Sequence, residues 1–114
     1  MGATLPKAER LCGRTAVSSL MKGGKWLNGD NLRCCFAPNG LEFSRVMVSV
    51  PKKHFKRAVK RNLLKRRMRE SYRLQKDLVG GGFDVLFVYI GTEAAPFEEI
   101  RTELASLLAR ISQK

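Results

Sequence analysis

Val46-Met-Val-Ser-Val-Pro-Lys-Lys-His-Phe-Lys-Arg-Ala-Val-Lys-Arg-Asn-Leu-Leu-Lys-Arg-Arg-Met-Arg-Glu-Ser-Tyr-Arg73 joins an apolar strand, a proline stop and a long basic run. Val46, Val48 and Val50 alternate with Met47 and Ser49, the period-two pattern of a strand. Pro51 ends the strand because it has no amide to donate to a ladder. Beyond the loop carrying Lys52 and Lys53, the period changes to that of a helix over about 56–78, closed by Gly80, Gly81 and Gly82. The following run, 83–90, is apolar at nearly every position and predicts a strand covered on both faces. Strand, helix and buried strand in this order predict a sheet with helices packed on it.

Outward from this stretch, the same signals continue. On the amino-terminal side, Thr15 is placed to cap a short helix in which Val17, Leu20 and Met21 fall at i, i+3 and i+4, ended by Gly23 and Gly24. Apolar runs at 31–37 and 41–50 flank Pro38, Asn39 and Gly40, and an Asn-Gly turn between such runs predicts a hairpin. A further short strand is expected at 25–28. Residues 1–13, with Pro6 and Gly13, read as an extended arm. On the other side, Phe97, Ile100, Leu104, Leu107, Leu108 and Ile111 form one helical stripe after Pro96, with Glu98 and Glu99 at its positive end and Arg110 and Lys114 at its negative end. The chain of 114 residues suits a single domain over 1–114. The expected fold is an α+β two-layer sandwich of order α-β-β-(β)-α-β-α.

Charge is the compositional anomaly. Net charge is +12, and residues 52–73 carry 11 of the 22 Lys and Arg with Glu70 as the single carboxylate. Like charges at this density repel, so a polyanion is the partner such a segment calls for. On a wheel, Val59, Leu63, Leu64, Met68, Leu74 and Leu78 lie on one arc, and Arg61, Asn62, Lys65, Arg66, Arg69 and Arg73 on the other. Arg61, Lys65, Arg69 and Arg73 make a ridge with one residue per turn, a spacing of about 6 Å that matches successive phosphates. Lys60 and Arg67 fall inside the apolar arc, where their stems would snorkel outward. Guanidinium forks and planes suit structured RNA, and Asn62 adds a neutral group for a base edge or a 2′-hydroxyl. A solvated surface helix would alternate acids with bases at i+4, which only Glu70 does.

Other classes fit less well. The three cysteines, Cys12, Cys34 and Cys35, have no C-x-x-C spacing, which argues against a disulfide framework and a structural zinc site. Strand alternation would send Cys34 and Cys35 to opposite faces. No apolar run approaches a membrane span and no signal-peptide core opens the chain, so a cytoplasmic protein is expected. A helix-turn-helix reader would need a second helix where the glycines lead into a strand. His54 is the only histidine, and no catalytic triad or metal-binding spacing of carboxylates is evident. Two rivals stay open: an RNA-binding protein of ribosomal or chaperone type without a part in cleavage, and a basic amphipathic helix for anionic membranes or acidic partners.

The ordered string itself resembles the signature of the bacterial ribonuclease P protein subunit. Lys52 and Lys53, Ala58 and Val59, Arg61 and Asn62, Lys65 and Arg66, and Arg69, Glu70 and Arg73 stand where that family has its basic motif. Leu5-Pro6-Lys7, Glu9-Arg10-Leu11, the strand with Asp84 and the last Leu-rich helix extend the resemblance over nearly the whole chain. It implies a ribosomal protein S5 domain 2-like fold with a left-handed βαβ crossover. It implies the protein subunit of a ribonucleoprotein endoribonuclease that removes the 5′ leader of precursor tRNA, the RNA carrying the active site. Partners would be the catalytic RNA, in a 1:1 complex, and precursor tRNA; the protein alone would bind no cofactor, Mg2+ being used by the assembly. Carried over residue by residue, Lys52, Lys53, Lys56, Lys60, Arg61, Asn62, Lys65, Arg66, Arg69 and Arg73 would bind RNA. A cleft between sheet and first helix would take the leader, with Val17 and Met21 where the family usually has Phe, and Trp26 and Phe36 available nearby. Leu63 replaces the second Arg of the family's Arg-Asn-Arg element.

Overall fold

In a computed structural model, which describes residues 14–53, 55–75 and 82–112, seven elements follow the expected order. They are α1 (Arg14–Gly23), β1 (Lys25–Asn28), β2 (Leu32–Pro38), β3 (Arg45–Ser49), α2 (Ala58–Gln75), β4 (Phe83–Tyr89) and α3 (Phe97–Ser112). The amino-terminal arm, His54, Leu78, Gly80 and Gly81 lie outside the described residues. Gly24 closes α1 so tightly that a Cβ there would sit 2.6 Å from the Leu20 carbonyl and 2.7 Å from the Cys35 sulfur.

The sheet order is β1-β2-β4-β3. The short strand at 25–28 is present and makes the hairpin with β2, Trp26 facing Cys35 and Asn28 facing Arg33. The hairpin expected across Pro38-Asn39-Gly40 does not form. β4 enters between the two runs, antiparallel to β2 and parallel to β3. The Asn-Gly chemistry is nonetheless used: Gly40 has φ 72°, and the Asn39 side chain accepts from Leu41 N at 2.8 Å and donates to Asp84 at 2.9 Å. The turn therefore fastens the start of β4 rather than a β2–β3 ladder. Beside it, Arg45 clamps Asp84 with two hydrogen bonds of 2.8 and 2.6 Å.

Strand parity divides the interior. Leu32, Cys34, Phe36, Val46, Val48, Val85, Phe87 and Tyr89 face α2 and α3 in the main core. Cys35 and Leu86 turn the other way and pack with Leu20 of α1, joined by half-buried Trp26, Ala37, Met47 and Val88. The sandwich of sheet and α2/α3 thus carries α1 on its outer face. Every apolar position of the α3 stripe from Ile100 to Ile111 is buried, each contributing about 1.5–3 kcal/mol. Glu103 of α3 reaches back to accept from the amides of Asn31 and Leu32 at 2.8 and 2.6 Å, fixing the β1–β2 turn.

The buried arc of α2 is Leu64, Met68, Ser71 and Tyr72. Val59, placed in the core by the wheel, is 78% exposed, and Leu74 is 52% exposed. The reason is rotation: Tyr72, which the wheel's apolar arc leaves out, is fully buried with its ring centroid 6.4 Å from that of Phe87, so the contact face turns toward it and away from Val59 and Leu74. Ser71 is tolerated in that face because its hydroxyl donates to the Arg67 carbonyl at 2.7 Å within the helix. Arg67 lies at the edge of that face and donates to the carbonyl of Ala95.

Candidate nucleic-acid interface

The strand stop at Pro51 and the start of α2 at Ala58 bracket a loop whose Lys52, Lys53, Lys56 and Arg57 are all exposed. Lys60, Asn62, Arg66 and Arg69 continue this surface along the outward side of α2, with Lys65 half-buried at its border. Lys53, Lys56, Arg57 and Lys60 also line an open concavity against the loop containing Thr92 and Ala94, where Glu93 is the single carboxylate. That loop is held in place by Tyr89, whose hydroxyl donates to the Glu93 carbonyl and accepts from Ala95 N at 2.9 Å.

Two cations of the expected ridge are engaged by the protein itself. One Arg61 nitrogen donates to the carbonyls of Phe55 and Lys56, both at 2.8 Å, and so ties the loop to the first turn of α2. Arg73 holds Glu70 through two hydrogen bonds of 2.8 and 3.0 Å, which lower the Glu70 carboxyl below its ordinary pKa and raise that of Arg73. Glu70 therefore stays charged and neutralises Arg73, not the exposed Arg66 and Arg69. The free positive surface is broader and shorter than a straight ridge.

The second surface is the outer face of the sheet beside α1. Val17 is half-buried and Met21 is 49% exposed at its rim, and Trp26 lies in it. Phe36 does not belong there. It has the parity of Cys34, is buried in the main core, and packs edge-on against Phe83 with ring centroids 6.1 Å apart. Cys35 occupies the outer face instead, its thiol donating to the Leu20 carbonyl at 3.2 Å. Cys34, facing inward, has its thiol pKa pushed up to about 12 by burial. Arg33, which composition did not single out, also lies on the outer face, its guanidinium carbon 4.1 Å from the Trp26 ring centroid. Its parity with Cys35 was the available signal.

The sequence profile of the ribonuclease P family matches residues 5–112. The ribonuclease P protein component of Thermotoga maritima is 34% identical over 97% of this chain and 98% of its own length. That of Porphyromonas gingivalis is 32% identical over 95% and 86%. Among solved structures, the ribonuclease P protein from Thermotoga maritima superposes with a TM-score of 0.82 at 33% identity, covering 90% of this chain and 97% of that one. The Staphylococcus aureus ribonuclease P protein shares the fold, with a TM-score of 0.80 at 22% identity over 94% and 97%.

Proposed function

The chain belongs to the ribonuclease P protein family, and on that premise we propose that it binds the catalytic RNA of that ribonucleoprotein and the 5′ leader of precursor tRNA. The observation that carries this reading is the run of exposed cations from Lys52 to Arg69, whose only nearby acid on α2, Glu70, is bound to Arg73. Lys52, Lys53, Lys56, Lys60, Arg66 and Arg69 hold phosphates, and Asn62 reads a base edge or 2′-hydroxyl among them. Arg61 works indirectly, keeping the Phe55–Lys56 backbone against α2 so that the lysines of the loop project together.

Among the described residues no group of three or more His, Cys, Asp or Glu is arranged to hold a metal ion. In this proposal Mg2+ is assigned to the assembly, and the protein has the work of neutralising and orienting phosphates. The leader runs over the outer face of the sheet, away from α2 and α3. Mixing the protein with a bacterial ribonuclease P RNA and precursor tRNA at low magnesium is expected to raise the rate of leader removal. Absence of any stimulation by folded protein would overturn the proposal.

A further inference from the structure

On the outer face of the sheet one cation, Arg33, has no ion-pair partner among the described residues. Arg33 is stacked on Trp26, and its Nε is buried without a hydrogen-bond acceptor. The ion pairs of the described residues join Arg45 to Asp84, Arg73 to Glu70 and Arg101 to Glu98, and none includes Arg33. A guanidinium cannot shed its charge, and since no hydrogen bond or ion pair among the described residues takes its terminal nitrogens, these are left for an anionic oxygen. Around it the face is apolar, with Cys35, Met47, Leu86 and Val88, which strengthens any charge-assisted hydrogen bond made there. The indole and guanidinium together present a flat surface of the size of a base, beside rim positions Val17 and Met21 that have no ring to offer.

Resting on the ribonuclease P reading above, we propose that Trp26 and Arg33 form a subsite for one nucleotide of single-stranded RNA. The Arg33 fork takes a phosphate oxygen, and the base stacks on the guanidinium–indole pair. The pair thereby restores, from β1 and β2, the stacking that α1 does not provide.

Trp26 is the only tryptophan of the chain, so its emission reports on this subsite directly. Titration of the full chain with labelled oligoadenylate RNA is expected to quench that emission in step with the anisotropy of the label. Binding with unchanged emission overturns the subsite. Arg33→Gln and Trp26→Leu are each expected to weaken oligoadenylate binding about tenfold, Trp26→Phe less. Should Trp26→Leu fail to fold, Trp26→Phe and Arg33→Gln decide, and wild-type affinity in both overturns the proposal. The ratio of affinities for long-leader and leaderless precursor tRNA, measured with the catalytic RNA present, separates the two readings. A wild type indifferent to the leader overturns both, whereas a wild type that prefers it and variants that keep the preference overturn the subsite alone.

Discussion

The cationic surface of α2 and the outer face of the sheet meet RNA, in the proposed function, with opposite constructions. The first is made from consecutive residues of one loop and one helix, so its chemistry is written at local spacing and its charge is exposed. The second is assembled from α1 and all four strands around Leu20, Cys35 and Leu86, and exists only once β4 has separated β2 from β3. In that proposal the one would carry many phosphate contacts of modest, salt-dependent strength. The other offers few contacts, mostly apolar and stacking, that depend on how well the sheet is closed. Affinity and position on the strand are thus assigned to different parts of the same small domain.

The largest expected effect tests whether the two regions are supported separately. Leu64→Ala, beneath α2 in the main core, is expected to cost about 4 kcal/mol, and Leu86→Ala, beneath α1 and closer to solvent, about 2 kcal/mol. Urea denaturation measures both; equal losses would mean that one cooperative core supports both surfaces alike. Next comes the clamp at the end of the parallel pair. Burial alone would raise the Asp84 carboxyl, but hydrogen bonds from Arg45 and Asn39 overcome it and the pKa is lowered from 3.8. Such a group stabilises the fold above its unfolded pKa, and the contribution is lost as pH falls through the lowered folded value. Asp84→Ala is therefore expected to cost about 2 kcal/mol at neutral pH, with the difference from wild type shrinking in acid; a difference constant down to pH about 2 would remove the ion pair as its cause.

The smallest effect sharpens the cationic side. Arg66→Ala and Arg69→Ala should each shallow the slope of log affinity against log salt by about 0.7–0.9. Arg61→Ala should change it less, because its guanidinium is spent on the Phe55 and Lys56 carbonyls. A full phosphate's worth of slope lost with Arg61 would show that it releases those carbonyls when RNA binds.

These contrasts also explain what the chain made legible. Element order followed from proline and glycine punctuation and from a change of period, all of which are local. The hairpin at Asn39 was misplaced because the same dipeptide serves a tight turn and the first step of a crossover; only the distant partner, Asp84, distinguishes them. Val59 falls outside the core because a wheel weighs apolarity alone, and Tyr72, left off the apolar arc, packs on Phe87 and draws the buried face away from Val59. Phe36 could have been removed from the leader cleft by parity with Cys34. The face of Arg33 was legible from its parity with Cys35, but its seat on Trp26 required the register of β1 against β2, which no residue type announces.

The central position of β4 bears on how the chain assembles. β2 gains its partner on that side 45 residues on or more in sequence, as in the pairing of Leu32 with Tyr89 and Pro38 with Phe83. Until β4 has been synthesised, β3 has no neighbour in the sheet. Loop-closure entropy then stands against the late, non-local pairing, and self-repulsion within 52–73 adds to it. RNA that binds only the folded surface lowers this barrier's consequence by mass action. An RNA bound as proposed would, in that sense, also be a folding ligand.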